Sequence, residues 1–128
     1  GDAALEEADF LTRYAEKVYL LHRREEFRAS KLVQHRVFDN PKIEIIRNVV
    51  VEEILGDDTG LVTSVRLRNT ITEQRSPLAV SGAFIFIGFR PNTGVLVDHV
   101  EHDASGYIIT DANMESSVQG LFIAGDVR

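Results

Sequence analysis

The spacing of apolar residues predicts alternating helices and strands at the start of the chain. Residues 3–15 are predicted to form an amphipathic helix, because small apolar residues recur there at helical spacing. They are Ala4, Ala8, Leu11 and Ala15. A short apolar run over 18–21 predicts a buried strand. A second helix is predicted over residues 28–38, and Asn40-Pro41 ends it. Its expected inward positions are Leu32, Val33 and Val37.

Strand-like patterns dominate the next fifty residues, where β-branched residues and period-two alternation are frequent. The predicted strands cover residues 43–46, 49–55, 61–69, 78–80 and 83–87. The strand over 83–87 is almost wholly apolar, so we expect it to be central and buried. Helices alternating with strands indicate an α/β fold with a parallel sheet of the Rossmann-like, nucleotide-binding kind. The later strands would add an antiparallel β-meander on one face.

A break in the pattern follows at Gly88–Gly94, where one proline and two glycines interrupt regular structure. Beyond it only two short strands are predicted, over 107–109 and 121–124, separated by polar loops. We therefore predict a domain boundary near Gly88, with residues 1–87 in one domain and 88–128 in another.

Composition narrows the class of protein. The 128 residues are 44% hydrophobic and 27% charged, which is typical of a soluble domain, and no apolar stretch is long enough to span a membrane. No signal peptide is evident, so a cytoplasmic protein is expected. Cysteine is absent, which excludes disulfide or thiol chemistry within these residues. The net charge of −6 argues against a nucleic-acid binder.

Charge is distributed unevenly along the chain. Nine of the fourteen basic residues lie in the first 47 positions: Arg13, Lys17, Arg23, Arg24, Arg28, Lys31, Arg36, Lys42 and Arg47. The interval after Arg90 carries acidic residues and no basic one before Arg128. This asymmetry fits either two solvated faces of one domain or a basic pocket for an anionic ligand followed by a different structural unit.

The first candidate site is the start of the chain. Gly1-Asp2-Ala3-Ala4 fits the last four positions of a G-x-G-x-x-G/A motif, in which backbone N–H groups at a helix start hold a pyrophosphate. The alternative is that these four residues are simply an ordinary beginning of a domain.

The second candidate is the basic segment that follows the predicted strand over 18–21. About 20 residues after the glycines, dinucleotide folds place the group that reads the adenosine ribose. This chain has His22-Arg23-Arg24 there, with Arg28 one helical turn on. Guanidinium groups suit a 2′-phosphate, which they bind through forked, charge-assisted hydrogen bonds. The alternative is a solvated basic turn, partly neutralised by neighbouring glutamates (Glu25 and Glu26).

Two weaker candidates remain. The apolar run over 121–124 ends in Gly125-Asp126, where glycine permits close approach of a ligand and the carboxylate accepts hydrogen bonds from ribityl hydroxyls. An ordinary Gly-Asp turn is the alternative. The four histidines have generic spacing, so no metal site is predicted.

Several motifs occur in an order that resembles the low-molecular-weight thioredoxin reductases. Residues 1–8 are similar to that family's G-G-G-D-[ST]-A-x-E-E-A segment, and residues 22–29 match its H-R-R-x-x-[FL]-R-A motif. Residues 118–127 look like its flavin-binding closing motif. Further similar segments lie at residues 40–44, 65–69, 87–93 and 106–108. The resemblance covers essentially the whole chain.

This resemblance implies a homodimeric flavoprotein oxidoreductase in which NADPH reduces FAD, FAD reduces a Cys-x-x-Cys disulfide, and the dithiol reduces thioredoxin. It implies that the chain is an interior fragment: residues 1–87 would be an NADPH-binding domain without its first strand, and 88–128 the start of a returning FAD-binding segment. The site residues it implies fall into four groups. They are Arg23, Arg24, Arg28 and the adjoining His22 for the 2′-phosphate; Gly1, Asp2 and Ala3 for the pyrophosphate; Ile87 and Gly88 for the nicotinamide; and Gly125 and Asp126 for FAD.

The chain departs from the family pattern at two positions. Ala3 stands where a hydroxyl residue is expected, which removes one hydrogen bond to the pyrophosphate, and Arg90 stands where many members have histidine. The H-R-R motif also recurs in ferredoxin-NADP reductases. A related NADPH-dependent flavoreductase and a non-catalytic NADPH-binding module therefore remain alternatives.

We predict that the 128-residue chain by itself does not reduce thioredoxin, because it contains no cysteine. We also expect marginal stability, since a missing central strand would leave unpaired strand edges. The test is an assay of the isolated chain with NADPH and thioredoxin; turnover would contradict the first expectation, and a sharp, reversible melting transition of a monomer the second.

Overall fold

The computed structural model describes all residues, Gly1–Arg128, in two compact units, Gly1–Phe86 and Ile87–Arg128. All regular elements lie in the first unit. In chain order they are helix α1 (Asp2–Leu11), strand β1 (Val18–His22), helix α2 (Lys31–Phe38), and strands β2 (Ile43–Arg47), β3 (Val49–Gly56), β4 (Val62–Asn69) and β5 (Arg75–Ala79). The α/β class is confirmed, with a parallel pair β1–β2 and an antiparallel sheet in the order β3–β4–β5.

Helix α1 ends four residues before its predicted end. The hydroxyl of Thr12 donates to the carbonyl of Asp9 at 2.6 Å, and this side chain lies at the helix C-terminus. The ammonium of Lys42 donates to the carbonyls of Thr12 and Ala15, at 2.7 and 3.2 Å. A cation over unpaired carbonyls stabilises the negative end of a helix. These contacts fix the turn that leads into β1.

One apolar core joins both helices to the parallel pair. Its buried members are Leu5, Ala8, Leu20, Ala29, Val33 and Val37. Val33 and Val37 are four residues apart and so share one face of α2, as predicted. The prediction for Leu32 is wrong: its side chain is 70% exposed. Leu32 is adjacent to Val33 and therefore lies about 100° around the helix from it, on the outer face.

Strands β3, β4 and β5 form the predicted meander. Strand β5 begins three residues earlier than expected, because Arg75 pairs with Arg68 of β4. On this sheet Glu52 accepts from two arginines: from Nε of Arg68 at 2.8 Å and from Nε of Arg75 at 2.8 Å. Arg68 also contacts Glu73 at 3.0 Å. This ion-pair network links the three strands to one another and, through Glu73, to the turn between β4 and β5.

The central strand predicted over 83–87 is absent from the structure. The segment joins neither sheet, and its large apolar side chains are exposed, with Ile87 at 92%. An apolar run predicts burial only where a partner strand is available to pair with it. The only parallel strands among these residues, β1 and β2, pair with each other and not with this run.

The second unit is built from turns around a small core of Val100, Ile108 and Ile123. The strands predicted over 107–109 and 121–124 are reduced to isolated bridges, His102 with Ile108 and Glu115 with Phe122. Neither α1, with ten residues, nor α2, with eight, reaches the length and hydrophobicity of a membrane-spanning helix.

Replacing Val37 by alanine is expected to lower the free energy of unfolding by about 2 kcal/mol, because two methyl groups leave a fully buried position. Leu32→Ala on the same helix is the control and should change it by less than about 0.5 kcal/mol. Urea unfolding of both variants checks this. Equal losses would show that Leu32 is also part of the core.

Stability should also depend on Glu52 at neutral but not at strongly acidic pH. Hydrogen bonds from Arg75, together with Arg68, lower the pKa of Glu52 below its usual value of 4.5. A lowered folded-state pKa contributes stability above the unfolded pKa, and this contribution is lost as pH falls through the folded value. Glu52→Gln should therefore destabilise at pH 7, and the difference from the parent should shrink below about pH 4.

The matched control is Glu53→Gln. Glu53 lies on the same strand as Glu52, β3, but contacts a single arginine, Arg66 of β4. Its effect at pH 7 should be smaller than that of Glu52→Gln, as expected for an exposed pair. A Glu52→Gln penalty that stays constant from pH 7 to pH 3 would contradict the electrostatic origin.

Candidate functional site

Three chain segments meet at the carboxyl end of β1. Helix α1 begins there after its N-cap Gly1, β1 ends at His22, and α2 begins after its N-cap Ser30. A carboxylate oxygen of Asp2 accepts a hydrogen bond from the backbone N–H of Ser30 at 2.7 Å. This bond lowers the pKa of Asp2 below its usual value. The residues predicted to bind the 2′-phosphate and those predicted to bind the pyrophosphate are therefore brought to the same edge of the parallel pair.

Residues 22–28 form a segment that we call the basic turn. Its inner side is fixed by His22, whose Nδ1 donates to the carbonyl of Arg24 at 2.8 Å. The His22 ring lies over Phe27, with centroids 4.5 Å apart. Phe27 is half-buried against the core of the first unit. The turn is thus anchored through its two aromatic rings.

The meander fixes the outer side of the basic turn. The hydroxyl of Thr70 donates to the carbonyl of Arg23 at 3.3 Å, and the amide of Asn48 donates to the carboxylate of Glu25 at 2.7 Å. Asn48 has a positive φ of 57°, which places it at the tight step from β2 to β3. Both anchors are uncharged, so neither competes for a guanidinium group.

The three arginines of the basic turn, Arg23, Arg24 and Arg28, are exposed and form no salt bridge. Glu25 and Glu26, which the alternative interpretation pairs with them, also form none. The structure therefore presents three unneutralised guanidinium groups on one short segment, which is the chemistry that a phosphate dianion needs.

Gln34 is a polar residue of this site that sequence reasoning missed. It is only 8% exposed, and its amide donates to the carbonyl of Ala29 at 2.7 Å. The available signal was its position: it lies between Val33 and Val37, where a buried polar side chain must have a partner. Asn48 and Thr70 were also missed, because they lie far from the basic turn in sequence.

The remaining predicted residues lie at the start of α1 or in the second unit. Gly1 and Ala3 are exposed at the start of α1, where no side chain caps the free N–H groups. Ile87, Gly88, Gly125 and Asp126 belong to the second unit and are exposed. Gly88 and Gly125 have φ of 109° and 92°, conformations that favour glycine. No group of acidic and histidine side chains is placed to hold a metal ion.

Comparison with known proteins identifies the family. The sequence model of the pyridine nucleotide-disulphide oxidoreductase family matches residues 1–128, so the chain belongs to that family. It is 48% identical over 130 residues to thioredoxin reductase 2 of Arabidopsis thaliana, and 44% identical over 128 residues to the thioredoxin reductase of Listeria innocua. Both alignments cover 100% of this chain, but only 34% and 40% of the relatives.

Two solved structures of thioredoxin reductases align with nearly the whole chain. The thioredoxin reductase of Lactococcus lactis aligns with a TM-score of 0.85 and 40% identity, covering 100% of this chain and 42% of that one. The enzyme of T. acidophilum aligns with a TM-score of 0.77 and 29% identity, over 96% and 40%. The resemblance expected from the motifs is confirmed, and the chain corresponds to about two fifths of the length of these relatives.

Proposed function

We propose that this chain supplies the NADPH-binding part of a thioredoxin reductase. The observation that carries the proposal is the basic turn: three exposed guanidinium groups without ion pairs, held at the carboxyl end of a parallel strand beside a helix start. In nucleotide-binding α/β folds, ligands bind at this edge. The family membership supports a pyridine nucleotide as the ligand.

Each part of the edge would bind a different part of NADPH. Arg23, Arg24 and Arg28 would bind the 2′-phosphate, with His22 holding the turn in shape. The exposed N–H groups after Gly1 would face the pyrophosphate, where the positive end of the α1 dipole favours an anion. Ala3 offers no hydroxyl to this phosphate, so one hydrogen bond, worth about 0.5–1.5 kcal/mol, would be missing.

We propose that the second unit belongs to a flavin-binding domain. Ile87 and Gly88 would line the nicotinamide side, and Asp126, after Gly125 with its positive φ, would accept hydrogen bonds from the ribityl chain of FAD. The support is the exposure of the Asp126 carboxylate and the open space around Gly125. These features fit the flavin but involve only a small part of its surface.

The complete reaction would need residues that these 128 do not include. When bound, NADPH and FAD would deliver two electrons to a disulfide, and the resulting dithiol would reduce thioredoxin. The chain contains no cysteine, so the disulfide would lie elsewhere in the protein. A homodimer is part of the same proposal.

Titration of the protein with NADPH and NADH by calorimetry tests the nucleotide site. NADPH should bind more tightly, and Arg23→Ala/Arg24→Ala should weaken NADPH by at least about tenfold, because charge-assisted bonds to the phosphate are lost. Binding of NADH, which has no 2′-phosphate, should change much less.

The control is Arg13→Ala/Arg36→Ala, which alters the net charge equally. Arg13 follows α1 and Arg36 lies in the last turn of α2, away from both helix starts. This variant should keep the preference for NADPH. Equal weakening by both double variants would show that the effect comes from net charge and not from the basic turn. Equal affinity of the parent for the two nucleotides would overturn the proposed 2′-phosphate site.

A further inference from the structure

Arg28 differs from the other two arginines in how its backbone is held. It lies at the end of the basic turn, and the two residues that follow it, Ala29 and Ser30, lead directly into α2. Its side chain is exposed and has no ion pair. Because no side-chain partner holds it, the region that its guanidinium group can reach is set by the backbone to which it is attached.

That backbone is held by two side chains from different helices. Asp2 of α1 accepts the N–H of Ser30 at 2.7 Å, and Gln34 of α2 donates to the carbonyl of Ala29 at 2.7 Å. The Ala29 side chain is itself buried in the core. One N–H and one C=O on successive residues are thus both fixed, which leaves the peptide between them little freedom to rotate.

The Gln34 contact is the more constrained of the two. A buried amide is costly unless its hydrogen bonds are made, so α2 is stable in this position only while the Ala29 carbonyl stays within reach. The Asp2 contact is exposed, and it ties the start of α1 to the start of α2. Together they connect the proposed pyrophosphate end of the site to the proposed 2′-phosphate end.

We propose that Asp2 and Gln34 are positioning residues that set the preference for NADPH over NADH by holding Ala29 and Ser30 and, through them, Arg28. This inference rests on the proposed 2′-phosphate site. Pre-ordering a binding group strengthens only the contact which that group makes. NADH has no 2′-phosphate, and every Asp2 variant keeps the backbone N–H of residue 2 that the proposed pyrophosphate site uses, so loss of either hold should weaken NADPH more than NADH.

The test measures dissociation constants for both nucleotides in the full-length protein carrying Asp2→Ala, Asp2→Asn or Gln34→Met. Asp2→Ala removes the acceptor, and Gln34→Met removes the donor at similar length. Each should reduce the ratio of NADPH to NADH affinity about threefold to tenfold, the size of one hydrogen bond. Asp2→Asn keeps an acceptor oxygen and should restore most of the ratio.

A variant that removes the donor of the Asp2 bond separates loss of this hydrogen bond from loss of the Asp2 charge. Ser30→Pro removes the N–H while leaving Asp2 in place, and the φ of −61° at Ser30 lies within proline's range. It should reproduce the effect of Asp2→Ala. Retained NADH binding serves in each case as the measure of a folded site.

A double-mutant cycle with Arg28→Ala shows whether the effect passes through Arg28. In the Arg28→Ala background, Asp2→Ala should cause no further loss of preference. Equal weakening of NADPH and NADH by Asp2→Ala would instead make Asp2 a direct ligand contact and overturn the inference. So would an unchanged ratio in both Asp2→Ala and Ser30→Pro while Arg23→Ala/Arg24→Ala still abolishes the preference. Failure of that arginine variant would overturn the proposed function itself.

Discussion

The packing of α1 and α2 against β1 is the constraint on which the candidate site depends. Leu5, Leu20 and Val37 meet in one core, with Val37 fully buried. Small residues, Ala8 and Ala29, let the helices approach closely. Because α2 connects the parallel strands β1 and β2, it begins at the carboxyl end of β1, and the hydrogen bond from Ser30 to Asp2 places the start of α1 beside it. Apolar burial thus decides where the polar groups of the site are brought together.

The polar contacts then determine which charges remain available. Two of the contacts that hold the basic turn use uncharged side chains, Asn48 and Thr70. Asn48 donates to the carboxylate of Glu25, which forms no ion pair with the arginines of the turn. Three like charges without counterions repel one another. A segment kept in that state by surrounding hydrogen bonds is arranged for an anion that arrives from solution, which is the physical basis of the proposed 2′-phosphate site.

The sequence predicts the elements whose burial is local and misses those whose burial depends on a partner. Strand β1 and the inward face of α2 follow from spacing, because Val33 and Val37 report the rotation of their own helix. Leu32 fails because hydrophobic identity alone does not place a side chain inward. The run over 83–87 fails for a larger reason: a buried strand needs a neighbour, and no pattern within the run specifies one. Gln34 was missed because its position between Val33 and Val37 allows burial but does not name its partner, the Ala29 carbonyl.

The structure also explains why the residues of the basic turn have their order. His22 and Phe27 are half-buried and stack on each other, and Ala29 is in the core, so these positions fix the path of the backbone. The arginines occupy the positions between them and are exposed. Motif similarity alone gives the identity of these residues and a family; the alternation of anchored and exposed positions gives a reason for their spacing. Inserting or removing a residue between His22 and Ala29 would change the spacing between the anchored positions and the arginines, so the length of the turn matters as well as its charge.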